Sequence, residues 1–200
     1  MYQIEKPFQN FASNPSHNMQ HNTKRIFLIG YMGSGKSTLG KAMSRELGLD
    51  FIDLDYYIEG RYHKTVREIF AEGGEARFRE IERNMLHEVA DIENVIIATG
   101  GGTPCFYDNI EYMNSKGTCI YLQATVEELC RRLKTCRENR PLLRDKNDDE
   151  LRDFIEKNLS SREQFYTQAS HLFDTGALLS RKEIEIATKR LKDFIEKNIS

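Results

Sequence analysis

Strands alternating with amphipathic helices along 200 residues predict a three-layer α/β/α fold with a central parallel sheet. Three observations carry that expectation. Short apolar runs stand at Ile26–Ile29, at Val95–Ala98 and within Thr118–Leu122; helix-period segments separate them; and glycine-rich turns follow the first two runs directly. The length suits one well-buried α/β core and is short for two, so residues 24–200 are expected to form a single domain. Residues 1–23, rich in Asn, Gln, Ser and His without periodicity, are expected to be a flexible extension.

The elements follow in order. After the first strand, Leu39, Ala42, Met43 and Leu47 recur at helical spacing, and Gly48 suits the stop. Asp50 to Leu54 reads as a second strand, and a helical stretch begins at Tyr56 and continues to Arg61. Thr65 to Ala71 and about Glu75 to Asp91 read as two helices broken by Gly73-Gly74, the second carrying Phe78, Ile81, Met85, Leu86 and Val89 on one face. Val95–Ala98 is a buried parallel strand by its continuous apolar character, and Thr118–Leu122 is another. Helices are expected over Val126 to Thr135, Asp148 to Thr167 and Arg181 to Asn198, with a last strand at Leu172–Asp174. LRDFIEKNLS at 151–160 nearly repeats as LKDFIEKNIS at 191–200. Ten residues are too few for a repeat architecture, so these read as two similar amphipathic helix segments.

A formal net charge of −2 implies no general attraction to nucleic acid or anionic membrane. The chain has no apolar run long enough to span a bilayer and no secretory-signal order at its start, so it is expected in the cytoplasm. Cys105, Cys119, Cys130 and Cys136 form no C-x-x-C pair, which argues for reduced thiols over zinc or a disulfide framework.

The chemistry begins at Gly30–Ser37, which fits G-x-x-x-x-G-K-[ST] between a strand and a helix. Such a loop turns successive N–H groups toward phosphate oxygens, so Gly33, Ser34, Gly35, Lys36, Ser37 and Thr38 are the expected nucleoside triphosphate contacts. Lys36 reaches the β- and γ-phosphates, and the Ser37 hydroxyl is a natural Mg²⁺ ligand. On an extended strand Asp53 and Asp55 share one face, with Asp53 orienting Mg²⁺ and Asp55 accepting from an acceptor hydroxyl. A solvated strand end is the competing reading. Gly100-Gly101-Gly102 is either a second close backbone approach to ligand or a plain turn. Arg79 and Glu82 stand at i, i+3, the spacing of an ion pair that by itself is ordinary on a helix surface. Between 131 and 146 arginines crowd a stretch broken by Pro141, as a mobile lid over a γ-phosphate requires; a solvated basic face is the alternative.

From about Lys24 to Thr175 the chain resembles the shikimate kinases, within the nucleoside monophosphate kinase-like group of P-loop folds. GYMGSGKSTLGK at 30–41, FIDLD at 51–55, Phe78-Arg79-Glu80 with Glu82, ATGGGT at 98–103, RPLL at 140–143, and the spaced Arg162, Tyr166 and Ala169 carry the resemblance. It implies ATP-dependent phosphorylation of the 3-hydroxyl of shikimate, in aromatic amino acid biosynthesis, by a monomer using ATP and Mg²⁺. By the same resemblance Asp55 binds the shikimate hydroxyls and assists deprotonation, Arg79 and Arg162 hold the carboxylate, and Gly100, Gly101 and Gly102 contact the ring hydroxyls. Arg140 is the implied lid arginine, catalytic together with Lys36 and Asp55, and Arg132 lies near the adenine. A kinase of another small hydroxy acid such as gluconate, and a nucleotide-dependent regulator without an acceptor, are the alternatives.

Overall fold

The computed structural model describes residues 24–135, 143 and 146–199. Five strands, β1 (Arg25–Ile29), β2 (Asp50–Asp53), β3 (Val95–Ala98), β4 (Thr118–Gln123) and β5 (His171–Asp174), form one sheet in the order β2-β3-β1-β4-β5. Every pairing is parallel; Phe27 of β1 sits in register with Ile97 on one side and Cys119 on the other. Side chains alternate along a strand, so β1 sends Ile26 and Leu28 to one face and Phe27 and Ile29 to the other, and all four are buried. That double burial is why the strands read as continuous apolar runs.

Each face has its own helical cover. Helices α1 (Lys36–Leu47) and α7 (Arg181–Asn198) bring Leu39, Met43, Leu191 and Ile195 onto Ile26, Leu28 and Ile120. The opposite face takes α2 (Leu54–Tyr62), α3 (Val66–Val89), α4 (Asn109–Lys116), α5 (Val126–Lys134) and α6 (Asp148–Tyr166), through residues such as Ile58, Ile81, Met113, Leu133 and Ile155. The expected three-layer architecture is therefore present. The two near-identical decapeptides fall in α6 and α7, where Leu151 and Ile155 bury on one face of the sheet and Leu191 and Ile195 on the other. They are two amphipathic helices that use one pattern twice.

Two expectations change and one between them holds. First, β2 ends at Asp53, whose extended backbone caps α2, so Leu54 already opens the helix and Asp55 lies in its first turn instead of on a strand. Leu54 and Ile58 bury together one helical turn apart, and an acid in a first turn is favoured by the helix dipole. Second, the break expected at Gly73-Gly74 is present: within α3 Gly74 leaves helical geometry at φ 69° and ψ −176° and kinks the chain between two helical stretches. Third, residues 103–117, to which the pattern assigns no element, form a 3₁₀ turn (Thr103–Cys105) and α4. The cysteines Cys105, Cys119 and Cys130 are free, and burial pushes the first two thiols up to about 11 and about 12.

Candidate active site

Parallel strands bring their carboxyl ends to one edge of the sheet, and there the loops after β1, β2 and β3 meet. A cleft of about 510 Å³ opens between them, lined by Lys36, Ser37, Asp53, Asp55, Gly100 and Arg132 among others. The loop after β1 follows its motif: Gly30, Gly33 and Gly35 take φ of 139°, 80° and 102°, which frees the backbone to curl before α1 starts at Lys36. The N-terminus of α1 thus faces the cleft with its unpaired N–H groups, an arrangement suited to anions.

Lys36 is buried with its ammonium donating to the loop's own carbonyls, Gly30 O at 2.8 Å and Tyr31 O at 3.0 Å. Ser37 Oγ donates to Asp53 Oδ2 at 2.5 Å, joining the first turn of α1 to the end of β2. Thr38 is exposed along the same wall of the cleft, and Ser34 is buried within the loop. Arg132 is nearly buried; its guanidinium donates to Gly33 O at 3.0 Å, Thr175 Oγ1 at 3.2 Å and Gly176 O. It fastens α5 to the phosphate loop on one side and to the turn after β5 on the other. Leu178 and Leu179, beyond that turn, complete this end of the cleft with apolar surface.

Deeper in the cleft stands Asp55, whose carboxyl is raised to about 6, by burial first and then by the nearby carboxylates of Glu82 and Asp53. Protein crowds the group while one side stays open to cleft water, which screens part of the effect. The turn Gly100–Gly102 packs against it: a Cβ on Gly100 would lie 2.8 Å from Glu82 Oε1 and 3.2 Å from Asp55 Oδ1, and one on Gly102 would lie 2.6 Å from an Arg79 nitrogen. Only glycine leaves room for the guanidinium there.

Arg79 is not on the surface. It is pinned by Glu82 Oε2 at 2.7 Å and Glu75 Oε1 at 3.2 Å, and its guanidinium carbon sits 4.0 Å from the Phe106 ring centroid. Glu82, almost fully buried, also accepts from Thr103 Oγ1 at 2.6 Å, so both its oxygens are used. Arg162, from α6, reaches the same region: one of its nitrogens is 3.7 Å from where a Cβ on Gly101 would be, and its guanidinium carbon is 5.6 Å from the Tyr31 ring centroid. Two cations, an acid and a glycine turn therefore sit beside a phosphate loop. Arg140 lies outside the described residues, as do 1–23 and most of the expected lid; of 131–146, residues 131–134 close α5 and Leu143 is buried.

A family model described as shikimate kinase matches residues 32–194. The chain belongs to the shikimate kinase family. It is 58% identical over 172 residues to the shikimate kinase of Parabacteroides distasonis, covering 86% of this chain and 99% of that one. The crystal structure of the Bacteroides thetaiotaomicron shikimate kinase superposes with a TM-score of 0.83 at 56% identity, covering 87% and 99% of the two chains. Shikimate kinase from Acinetobacter baumannii, solved in complex with shikimate, matches with a TM-score of 0.73 at 30% identity over 90% and 97%. At this site sequence reasoning undervalued Glu82, read only as an ordinary ion-pair partner three residues after Arg79, and passed over Leu178 and Leu179, which are legible only once the post-β5 turn has closed on the cleft.

Proposed function

We propose that this chain transfers the γ-phosphate of ATP to the 3-hydroxyl of shikimate, forming shikimate 3-phosphate and ADP, as a single-domain monomer. The observation that carries the reading is the placement of Asp55 in a cleft between a phosphate loop and a glycine turn against which Arg79 and Arg162 lie. An acceptor with a carboxylate at one end and hydroxyls at the other matches that distribution of charge.

In this reading the triphosphate lies along the loop N–H groups from Gly33 to Thr38, and Lys36 exchanges the Gly30 and Tyr31 carbonyls for β- and γ-phosphate oxygens. Leu178 and Leu179 offer the base an apolar seat, and Arg132 holds that seat to the phosphate loop. Arg79 and Arg162 grip the shikimate carboxylate, guanidinium forks being matched to carboxylates. Gly100–Gly102 and Asp55 receive its hydroxyls. As the bond from the 3-oxygen to the γ-phosphorus forms and that to the ADP oxygen breaks, the hydroxyl proton passes to Asp55. A carboxylate of pKa about 6 is ionised at neutral pH yet more basic than an ordinary one, which suits it to receive a proton.

Ser37 Oγ and the Asp53 carboxylate fit Mg²⁺, a hard ion that takes one or two protein oxygens and completes its shell with water and phosphate. Bound there, the ion would neutralise charge on the β- and γ-phosphate oxygens. The test is ADP release by the purified protein with Mg-ATP and either shikimate or gluconate, with NMR assignment of the phosphorylated oxygen. Turnover confined to shikimate, at the 3-oxygen, is expected; equal or greater turnover with gluconate overturns the assignment.

A further inference from the structure

Tyr166 closes α6 one helical turn after Arg162 and is fully buried, yet it carries a polar atom that must be satisfied. Its hydroxyl donates to the Gly101 carbonyl at 2.5 Å, across 65 residues of sequence. Arg162 comes to the same glycine: one of its guanidinium nitrogens is 3.7 Å from where a Cβ on Gly101 would lie. The ring is held in turn: Tyr121 of β4 packs against it with centroids 5.1 Å apart. On its other side, Arg162 lies over the ring of Tyr31, itself buried in the phosphate loop.

We propose that Tyr166 is a positioning residue for the acceptor site, its hydroxyl fixing the Gly101 carbonyl beside the Arg162 guanidinium. The inference rests on the shikimate reading for the identity of the acceptor. Gly101 and Arg162 come from segments far apart in the chain. A hydroxyl carried on the same helix as Arg162 and donating to Gly101 ties the glycine turn to the helix that brings the guanidinium. Burial, the largest cause, drives the phenol far above its ordinary range, so it remains a donor at every pH at which the protein works.

Tyr166→Phe keeps the ring and its packing while removing only the hydroxyl. With one buried hydrogen bond worth about 1 kcal/mol net, the KM for shikimate is expected to rise about fivefold, with the KM for ATP unchanged within about twofold. Tyr121→Phe removes a hydroxyl from the same ring pair but contacts neither Gly101 nor Arg162 in any hydrogen bond found among the described residues; it is expected to leave the shikimate KM unchanged. An unchanged shikimate KM in Tyr166→Phe, or equal rises for shikimate and ATP, overturns the proposal. Should Tyr166→Phe not fold, fluorotyrosine at 166 alters donor strength with the ring retained. A shikimate KM that moves with fluorination while the ATP KM stays supports the role, and an invariant one overturns it. Wild-type turnover is measured first: its absence with shikimate overturns the substrate reading, whereas wild-type turnover with an unaffected Tyr166→Phe overturns the tyrosine's role alone.

Discussion

Asp55 is where environment rewrites an ordinary side chain. Its carboxyl is held protonated to about pH 6 because burial and the neighbouring acids, Glu82 and Asp53 foremost, disfavour the charge. A group needed as carboxylate therefore imposes an acid limb: kcat/KM for shikimate is expected to fall below about pH 6, and Glu82→Gln, which removes the neighbouring charge with the largest effect, should move that limb to lower pH. A limb unmoved in Glu82→Gln would mean the carboxylates do not couple. The same shift has a stability sign. A folded-state value raised from 3.8 to about 6 favours the folded protein below 3.8, and the benefit is lost as pH rises through 6. Asp55→Asn is thus expected to abolish turnover, leave ATP affinity nearly unchanged, and raise Tm at pH 8 by more than at pH 4; calorimetry at both pH values checks the difference. Sequence alone exposed Asp55 as an acid near a phosphate loop, but not its proton affinity, because that depends on Glu82, 27 residues away in α3.

Among the elements, helix α3 has the most to explain. The double glycine announced a break in the sequence, Gly74 adopts a conformation essentially closed to other residues, and the helical stretch beyond it delivers Arg79 and Glu82 inward. Gly74→Ala is expected to cost about 1–3 kcal/mol, read as a lower urea midpoint, since the strain falls on one residue whatever the space around it. At the turn after β3, Gly102→Ala forces a Cβ against the Arg79 guanidinium and is expected to raise the shikimate KM with little effect on ATP. Equal damage to both would place the fault in the phosphate loop instead. The helix α4 escaped sequence reading because eight largely polar residues bury only Asn109, Ile110 and Met113, too short a stripe for a period to register. By contrast, α1 was legible from its first turn to its glycine stop, where Gly48 takes the left-handed conformation.

Over the whole molecule, the parallel sheet gathers chemistry from distant segments: β1 contributes the phosphate loop, β2 leads to Asp53 and Asp55, β3 leads to the glycine turn, and α3 and α6 close over them. Because the phosphate loop and the arginine-bearing pocket are built from different elements, each ligand should stabilise the fold on its own. At about a hundred times its dissociation constant a ligand adds about 2.7 kcal/mol. Lys36→Ala is expected to lose the ATP-induced rise in Tm and all turnover while keeping the shikimate-induced rise; loss of both would show one indivisible site.

The sequence by itself determined the layered α/β architecture, the nucleotide loop and the family, because strand burial, helix period and a contiguous phosphate motif are local properties written in neighbouring residues. Only the tertiary structure decided that Asp55 lies in the first turn of a helix, that Arg79 is a buried cation fixed by Glu82, and that Tyr166 donates to Gly101. Those facts depend on which segments meet at the carboxyl edge of the sheet, where crowding by protein turns a helix-surface spacing into a buried ion pair and raises the pKa of an ordinary carboxyl.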